Sequence, residues 1–226
     1  MKILVYGAGV LGCNLARNLL RAGKDVTLLA RGNWAAEIKR NGLRIKDKFS
    51  LYTSVSRIPV VTELAPDAKS NKQLIGRIFH GTKYKVVYEP NMEDYLLCHA
   101  AFVMPAAFAC YKTDGDLKKL RGDTAYLNHL LDANIEGYRA IRDAGHTILP
   151  KEDTDFEGEK YRKTCLRFFK LMCATSLGKL CASDHAMNAI DEMSALNRDL
   201  KKFFDEHGAA YPVWQALEAE AGRYLR

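Results

Sequence analysis

The 226-residue chain has six cysteines (Cys13, Cys98, Cys110, Cys165, Cys173 and Cys181) but no Cys-x-x-Cys pair. That spacing argues against zinc-ribbon and thioredoxin-type sites. Most of the six fall in apolar helical patterns, where a free cysteine acts as a small buried hydrophobe in a reducing compartment. The histidines (His80, His99, His129, His146, His185 and His207) are just as dispersed, and no metal spacing stands out. No run of about 18 apolar residues occurs, so no membrane span is expected. The start, Met1-Lys2-Ile3-Leu4-Val5, lacks the long apolar region and cleavage site of a signal peptide, which leads us to expect a cytoplasmic protein. Repeats and low-complexity tracts are missing. There are 34 Lys and Arg against 27 Asp and Glu, a net charge of +7, yet no basic block interleaves with aromatics. Small anionic ligands are therefore favoured over nucleic acid.

What is present is more specific. Gly7-Ala8-Gly9-Val10-Leu11-Gly12 follows the apolar run Ile3-Leu4-Val5-Tyr6 and opens a helical pattern from Asn14 to Arg21. In that context the glycine spacing is a dinucleotide-binding fingerprint. Gly7 permits the tight turn, Gly9 admits a pyrophosphate close to the backbone, and Gly12 lets the helix pack closely. The free N–H groups and positive end of the helix receive the phosphates. A second short strand, Asp25 to Ala30, ends in Arg31, where an NAD-binding protein usually carries an acid. A guanidinium there pairs with a 2′-phosphate, so NADP(H) is the expected cofactor.

Residues 1 to about 66 read as β-α-β, a short helix near Trp34–Arg40, and β pieces at Leu43–Lys46 and Val55–Thr62. A polar stretch around Ala65 to Asn71 precedes a short helix, Lys72 to Phe79, and an expected strand, Tyr84 to Tyr88. From Asn91 the pattern is helical, with helices over about 92–111, 122–144, 156–177, 189–207 and 212–224. The expected fold is an incomplete α/β Rossmann-type half over residues 1–90, followed by an all-α substrate or dimerisation domain over residues 91–226.

This arrangement resembles the ketopantoate reductase (2-dehydropantoate 2-reductase) family. The resemblance rests on Lys2 to Arg31, on Met104-Pro105-Ala106-Ala107-Phe108, and on Glu192-Met193-Ser194-Ala195-Leu196-Asn197. It implies an NADPH-dependent oxidoreductase of pantothenate synthesis, reducing a 2-keto acid or related carbonyl. Glu192 matches the family's substrate-domain glutamate. Two departures accompany it. The doubly wound fold orders its strands 3-2-1-4-5-6, and the strands after the third cannot be found. The apparent gap falls near residues 69–70 and would leave strand 1 with an open edge. Moreover, the family's catalytic lysine lies nine positions before the helix proline, where this chain has Leu96, and the helix asparagines align with Ala100 and Met104. His99 is the candidate substitute proton donor, weighed against a role as a core histidine. The alternative reading is a catalytically degenerate nucleotide-binding or helical dimerisation protein. The expected partner is a small keto acid, not nucleic acid or membrane, with homodimerisation left open.

Overall fold

A computed structural model describes residues 2–47, 52–63 and 72–225. The chain divides into two compact units, residues 1–88 and 89–226. The apparent gap near residues 69–70 lies outside the described residues.

In the first unit, β1 (Lys2–Tyr6), α1 (Val10–Arg21) and β2 (Asp25–Leu29) form a β-α-β crossover, in which β1 pairs with β2 in parallel. Parallel strands need such a crossover, and burying the helix on the sheet requires an apolar stripe. Cys13, Ala16 and Leu19 supply that stripe, meeting Ile3 and Val5 of β1 and Val26 and Leu28 of β2 in one core. α2 (Gly32–Asn41) packs Ala35 and Ile38 into the same core. β3 (Leu43–Lys46) and β4 (Thr53–Ser56) form a separate antiparallel pair, and β5 (Val60–Val61) pairs in parallel with β2. The single β piece expected over Val55–Thr62 is thus two strands in two sheets. Arg17 links α1 to the β3–β4 pair. Its nearly buried guanidinium makes a two-pronged contact with Asp47, at 2.8 and 2.9 Å.

The three-stranded sheet runs β1-β2-β5, which is one half of the doubly wound order, 3-2-1. Among the described residues β1 is therefore an edge. Gly7 N–H donates to Leu29 O at 3.2 Å. By the period of two along a strand, Leu4 and Tyr6 then turn their backbone groups away from β2. A cleft of about 610 Å³ runs beside them, walled by α1, Ile78, Phe79 and Tyr84. Ile78 and Phe79 come from α3 (Lys72–Phe79), and the Tyr84 hydroxyl accepts a hydrogen bond from Asn18 Nδ2 at 2.8 Å. The strand expected at Tyr84–Tyr88 is not formed. These residues have no regular structure, and the Tyr84 ring packs edge-on to Phe79 instead.

The second unit is helical, with α4 (Met92–Lys112), α5 (Thr124–Asp143), α6 (Glu159–Ala174), α7 (Asp184–Asn188), α8 (Ile190–Glu206) and α9 (Pro212–Ala221). α4 has the length and hydropathy of a membrane-crossing helix, but most of that stretch is buried within the unit. Its Phe108 packs edge-on to the fully buried Trp214, which also meets Phe204 edge-on. Glu136 on α5 accepts from the N–H groups of Val213 and Trp214, at 3.1 and 2.9 Å. A carboxylate from another helix thus caps the start of α9. Burial pushes the Glu136 carboxyl above the usual range, and the two N–H donors pull it back. Five of the six cysteines are buried as expected; Cys181 is exposed.

Asp94 fastens the start of α4. Its carboxylate faces His146 Nδ1 at 2.7 Å, accepts from Thr147 N–H at 2.8 Å, and bonds Asn91 Nδ2 at 2.5 Å. The His146 contact is the chief cause that holds its carboxyl below the ordinary range, followed by the Thr147 N–H. A depressed folded-state pKa gives stability that is complete above the unfolded value and is lost as pH falls through the folded one. Asp94→Asn is therefore expected to lower the melting temperature near neutral pH and to flatten the acid limb of the stability curve. Melts followed by circular dichroism across the acid range check both.

Candidate dinucleotide site

The loop between β1 and α1 is built by two close constraints. Gly7 has φ +97°, a left-handed conformation that favours glycine. A Cβ on Gly12 would lie 1.8 Å from the Gly7 carbonyl oxygen, so the first turn of α1 rests directly on the loop backbone. Gly9 differs from both. A Cβ there would meet nothing within 4 Å, and its φ of −74° is open to any residue. The space beside Gly9 is what a pyrophosphate needs in order to reach the backbone.

Gly9 is the N-cap of α1, with no side-chain cap and no acid in the first turn. The first backbone bond of the helix runs from Cys13 N–H to Gly9 O at 2.9 Å. The preceding N–H groups of Val10, Leu11 and Gly12 therefore have no intrahelical acceptor. Val10 and Leu11 are strongly exposed. A 12-residue helix ending openly on a glycine loop is a ready anion site.

Three side chains frame the loop. Arg31, the N-cap of α2, donates to the Tyr6 hydroxyl at 2.9 Å, which brings together the C-terminal ends of β1 and β2. Trp34 Nε1 donates to the Ala8 carbonyl at 2.7 Å, and Cys13 Sγ donates to the same oxygen at 3.1 Å. Two donors fix the Ala8–Gly9 peptide. Because that peptide is trans, the Gly9 N–H faces the opposite way, away from both donors. Trp34 remains about half exposed. The sequence reading found Arg31 but missed Tyr6 and Trp34. Trp34 was legible in principle, lying three residues past Arg31 in the first turn of α2, where a side chain can turn back over the loop.

The candidate catalytic residues lie in the helical unit. His99 is exposed and stacks on Tyr95, with ring planes 3° apart and centroids 6.3 Å apart. It is not the core histidine weighed as its alternative. Glu192 is exposed in the first turn of α8, and among the described cavities it lines none in common with His99. Leu96 is exposed, Ala100 is half-buried and Met104 is fully buried in the core. No group of three or more metal-ligating side chains occurs among the described residues.

The strand, glycine turn and uncapped helix have the form of a dinucleotide-binding element. The family model described as ketopantoate reductase PanE/ApbA matches residues 3–85, so the resemblance read from the sequence holds over the N-terminal unit. Among solved structures, the chain is similar to a ternary structure of D-mandelate dehydrogenase with NADH and anilino(oxo)acetate. The TM-score is 0.66 at 11% identity, covering 99% of this chain and 98% of the other. That likeness shows the fold, a Rossmann-like N-terminal half with a helical C-terminal region. No curated protein matches the chain.

Gly9 and Gly12 should separate ligand space from packing. Gly9→Val is expected to fold normally and to abolish NADPH binding. Gly12→Ala is expected to destabilise the first unit by about 3 kcal/mol, the upper end of the usual overpacking cost, because the clash is with backbone and not with a yielding side chain. Thermal melts and NADPH titration of both variants distinguish the two roles.

Proposed function

We propose that the chain is a ketopantoate-reductase-like oxidoreductase that takes NADPH and acts on a 2-keto acid or related carbonyl. The observation that carries this reading is the uncapped start of α1 on a glycine loop with open space at Gly9, flanked by Arg31 at the end of β2. The match of residues 3–85 to the ketopantoate reductase family supports it. So does the likeness to a dehydrogenase described with NADH and an oxoacetate compound.

The dinucleotide supplies the hydride when bound. The N–H groups of Val10, Leu11 and Gly12 hold the pyrophosphate, since they have no partner within the helix. Arg31 meets the 2′-phosphate. It is exposed, and among the described residues its hydrogen-bond partner is the neutral Tyr6 hydroxyl, which does not offset its charge. Trp34, tethered by its N–H edge to Ala8, walls the same side of the loop. Carbonyl reduction also needs a group that delivers a proton to oxygen or stabilises its charge. Leu96 cannot provide it. On this reading the proton donor is His99, and Glu192 orients the substrate.

A second reading is favoured by specific residues. Leu96, Ala100 and Met104 remove the polar helix groups of the family, which suits a nucleotide-binding or helical dimerisation protein that no longer catalyses. On the reductase reading the partner is a small keto acid, and on either reading the protein works in the cytoplasm.

Arg31→Ala is expected to weaken NADPH by about 1.5–3 kcal/mol, roughly 10- to 150-fold, while leaving NADH almost unchanged. Titration of both cofactors by fluorescence tests this, and equal losses would refute the assignment of Arg31 to the 2′-phosphate. Ketopantoate reduction should be undetectable or slowed by about 10²–10⁴-fold relative to ordinary family members, the usual share of general acid catalysis. If slow turnover is seen, His99→Ala should remove it; turnover that persists in that variant excludes His99 as the donor.

A further inference from the structure

The helical unit contains a cavity of about 370 Å³ between α4 and α6 whose make-up differs from that of an anion site. Tyr95, His99 and Phe102 line one wall from α4, and Phe168 lines the other from α6. Asp153, in the connection between α5 and α6, lines the same cavity with Tyr138. The Tyr138 hydroxyl donates to Asp153 Oδ2 at 3.0 Å, which fixes the carboxylate in place. Among the described residues no Lys, Arg or His forms an ion pair with it. Burial pushes the Asp153 carboxyl up and neighbouring Glu152 adds to this, while the Tyr138 hydroxyl opposes both.

A half-buried carboxylate without a cation is costly unless something compensates its charge. Here that charge sits among aromatic rings, whose faces carry negative potential. Both features disfavour an anion held against Asp153, so a keto acid that meets His99 does so from the second cavity that His99 lines, with Phe102, Phe168 and His185. A bare metal ion would find no set of three ligands, since no such group of His, Cys, Asp or Glu side chains occurs among the described residues. An organic cation with apolar bulk satisfies both features together, since its charge meets Asp153 and its methyl groups meet the ring faces. The size agrees, at the small end of the range of about 300–1,000 Å³ usual for ligand pockets.

We propose that this cavity is a binding site for a small organic ammonium compound, with Asp153 as counter-ion and Tyr95, Phe102 and Phe168 as an aromatic cage. The site lies within the helical unit and does not rest on the reading given to the dinucleotide loop.

The test is calorimetric titration of the full chain with choline and with dimethylbutanol, its uncharged carbon isostere. Choline is expected to bind at least about tenfold more tightly, as a desolvated cation–π contact implies. Asp153→Asn keeps an acceptor for the Tyr138 hydroxyl and removes the charge, so it should bring choline down to the level of dimethylbutanol. If that variant melts early, Phe168→Leu decides instead, because its ring is partly exposed and its loss should cost choline more than the isostere. Equal affinity for the two probes, binding of neither, or a choline preference that survives the deciding variant would overturn the proposal.

Discussion

The contact between Gly12 and the Gly7 carbonyl governs the first unit. With no side chain at residue 12, the first turn of α1 lies on the loop backbone, at a distance no Cβ could tolerate. That approach fixes the angle at which α1 crosses the sheet, and so decides that Ala16 and Leu19 reach the strand core. It also decides where the open helix end points. The Ala8 carbonyl, held by Trp34 and Cys13, completes the arrangement by fixing the peptide that precedes the cap. The loop is held for packing reasons, and the direction of its open helix end follows from that packing.

The second unit solves a different problem. It has no sheet to organise it, so its helices are registered by polar contacts buried among apolar ones. Glu136 on α5 caps α9, and Trp214 just inside that cap donates from Nε1 to Asn197 on α8 at 2.9 Å. Gly137, beside Glu136, leaves room where Ala101, Phe204 and Trp214 converge, since a Cβ there would lie 3.1 to 3.6 Å from all three. Removing one partner of such a buried contact costs more than the contact itself is worth, because the other is left unsatisfied. These few groups therefore specify the helix arrangement, whereas the apolar core mainly drives its collapse.

Much of this was legible in the sequence where the signal was local. The fingerprint, Arg31 at a strand end, and the five long helices of the second unit are patterns within a few turns of chain. Signals that depended on partners misled. Tyr84-Lys85-Val86-Val87-Tyr88 has strand composition, but β-propensity mostly reflects a neighbour to pack against, and here Tyr84 is engaged by Asn18 and Phe79 instead. The run over Val55–Thr62 reads as one strand, yet its two ends pair with different sheets. Glu136 looks like a solvated helix carboxylate, and only the fold shows that it faces the start of α9. The Asp153–Tyr138 pair bridges α5 and a single 3-10 turn, Lys151–Asp153, so no periodicity could have revealed it.

The three helix positions that depart from the reductase pattern carry different structural meanings. Leu96 is exposed on α4 and takes no part in the core, so packing within the unit gives no reason for an apolar residue there. Met104 is fully buried against the core of the helical unit, where an asparagine would need partners for its amide. Apolar packing has therefore absorbed position 104, one turn beyond the half-buried Ala100. Position 96, where the resemblance to the reductases implies a lysine, carries an apolar side chain with no contact in the core. A core position can drift for reasons of stability alone. An exposed one has no packing reason for an apolar side chain, so its character is set by what that surface meets.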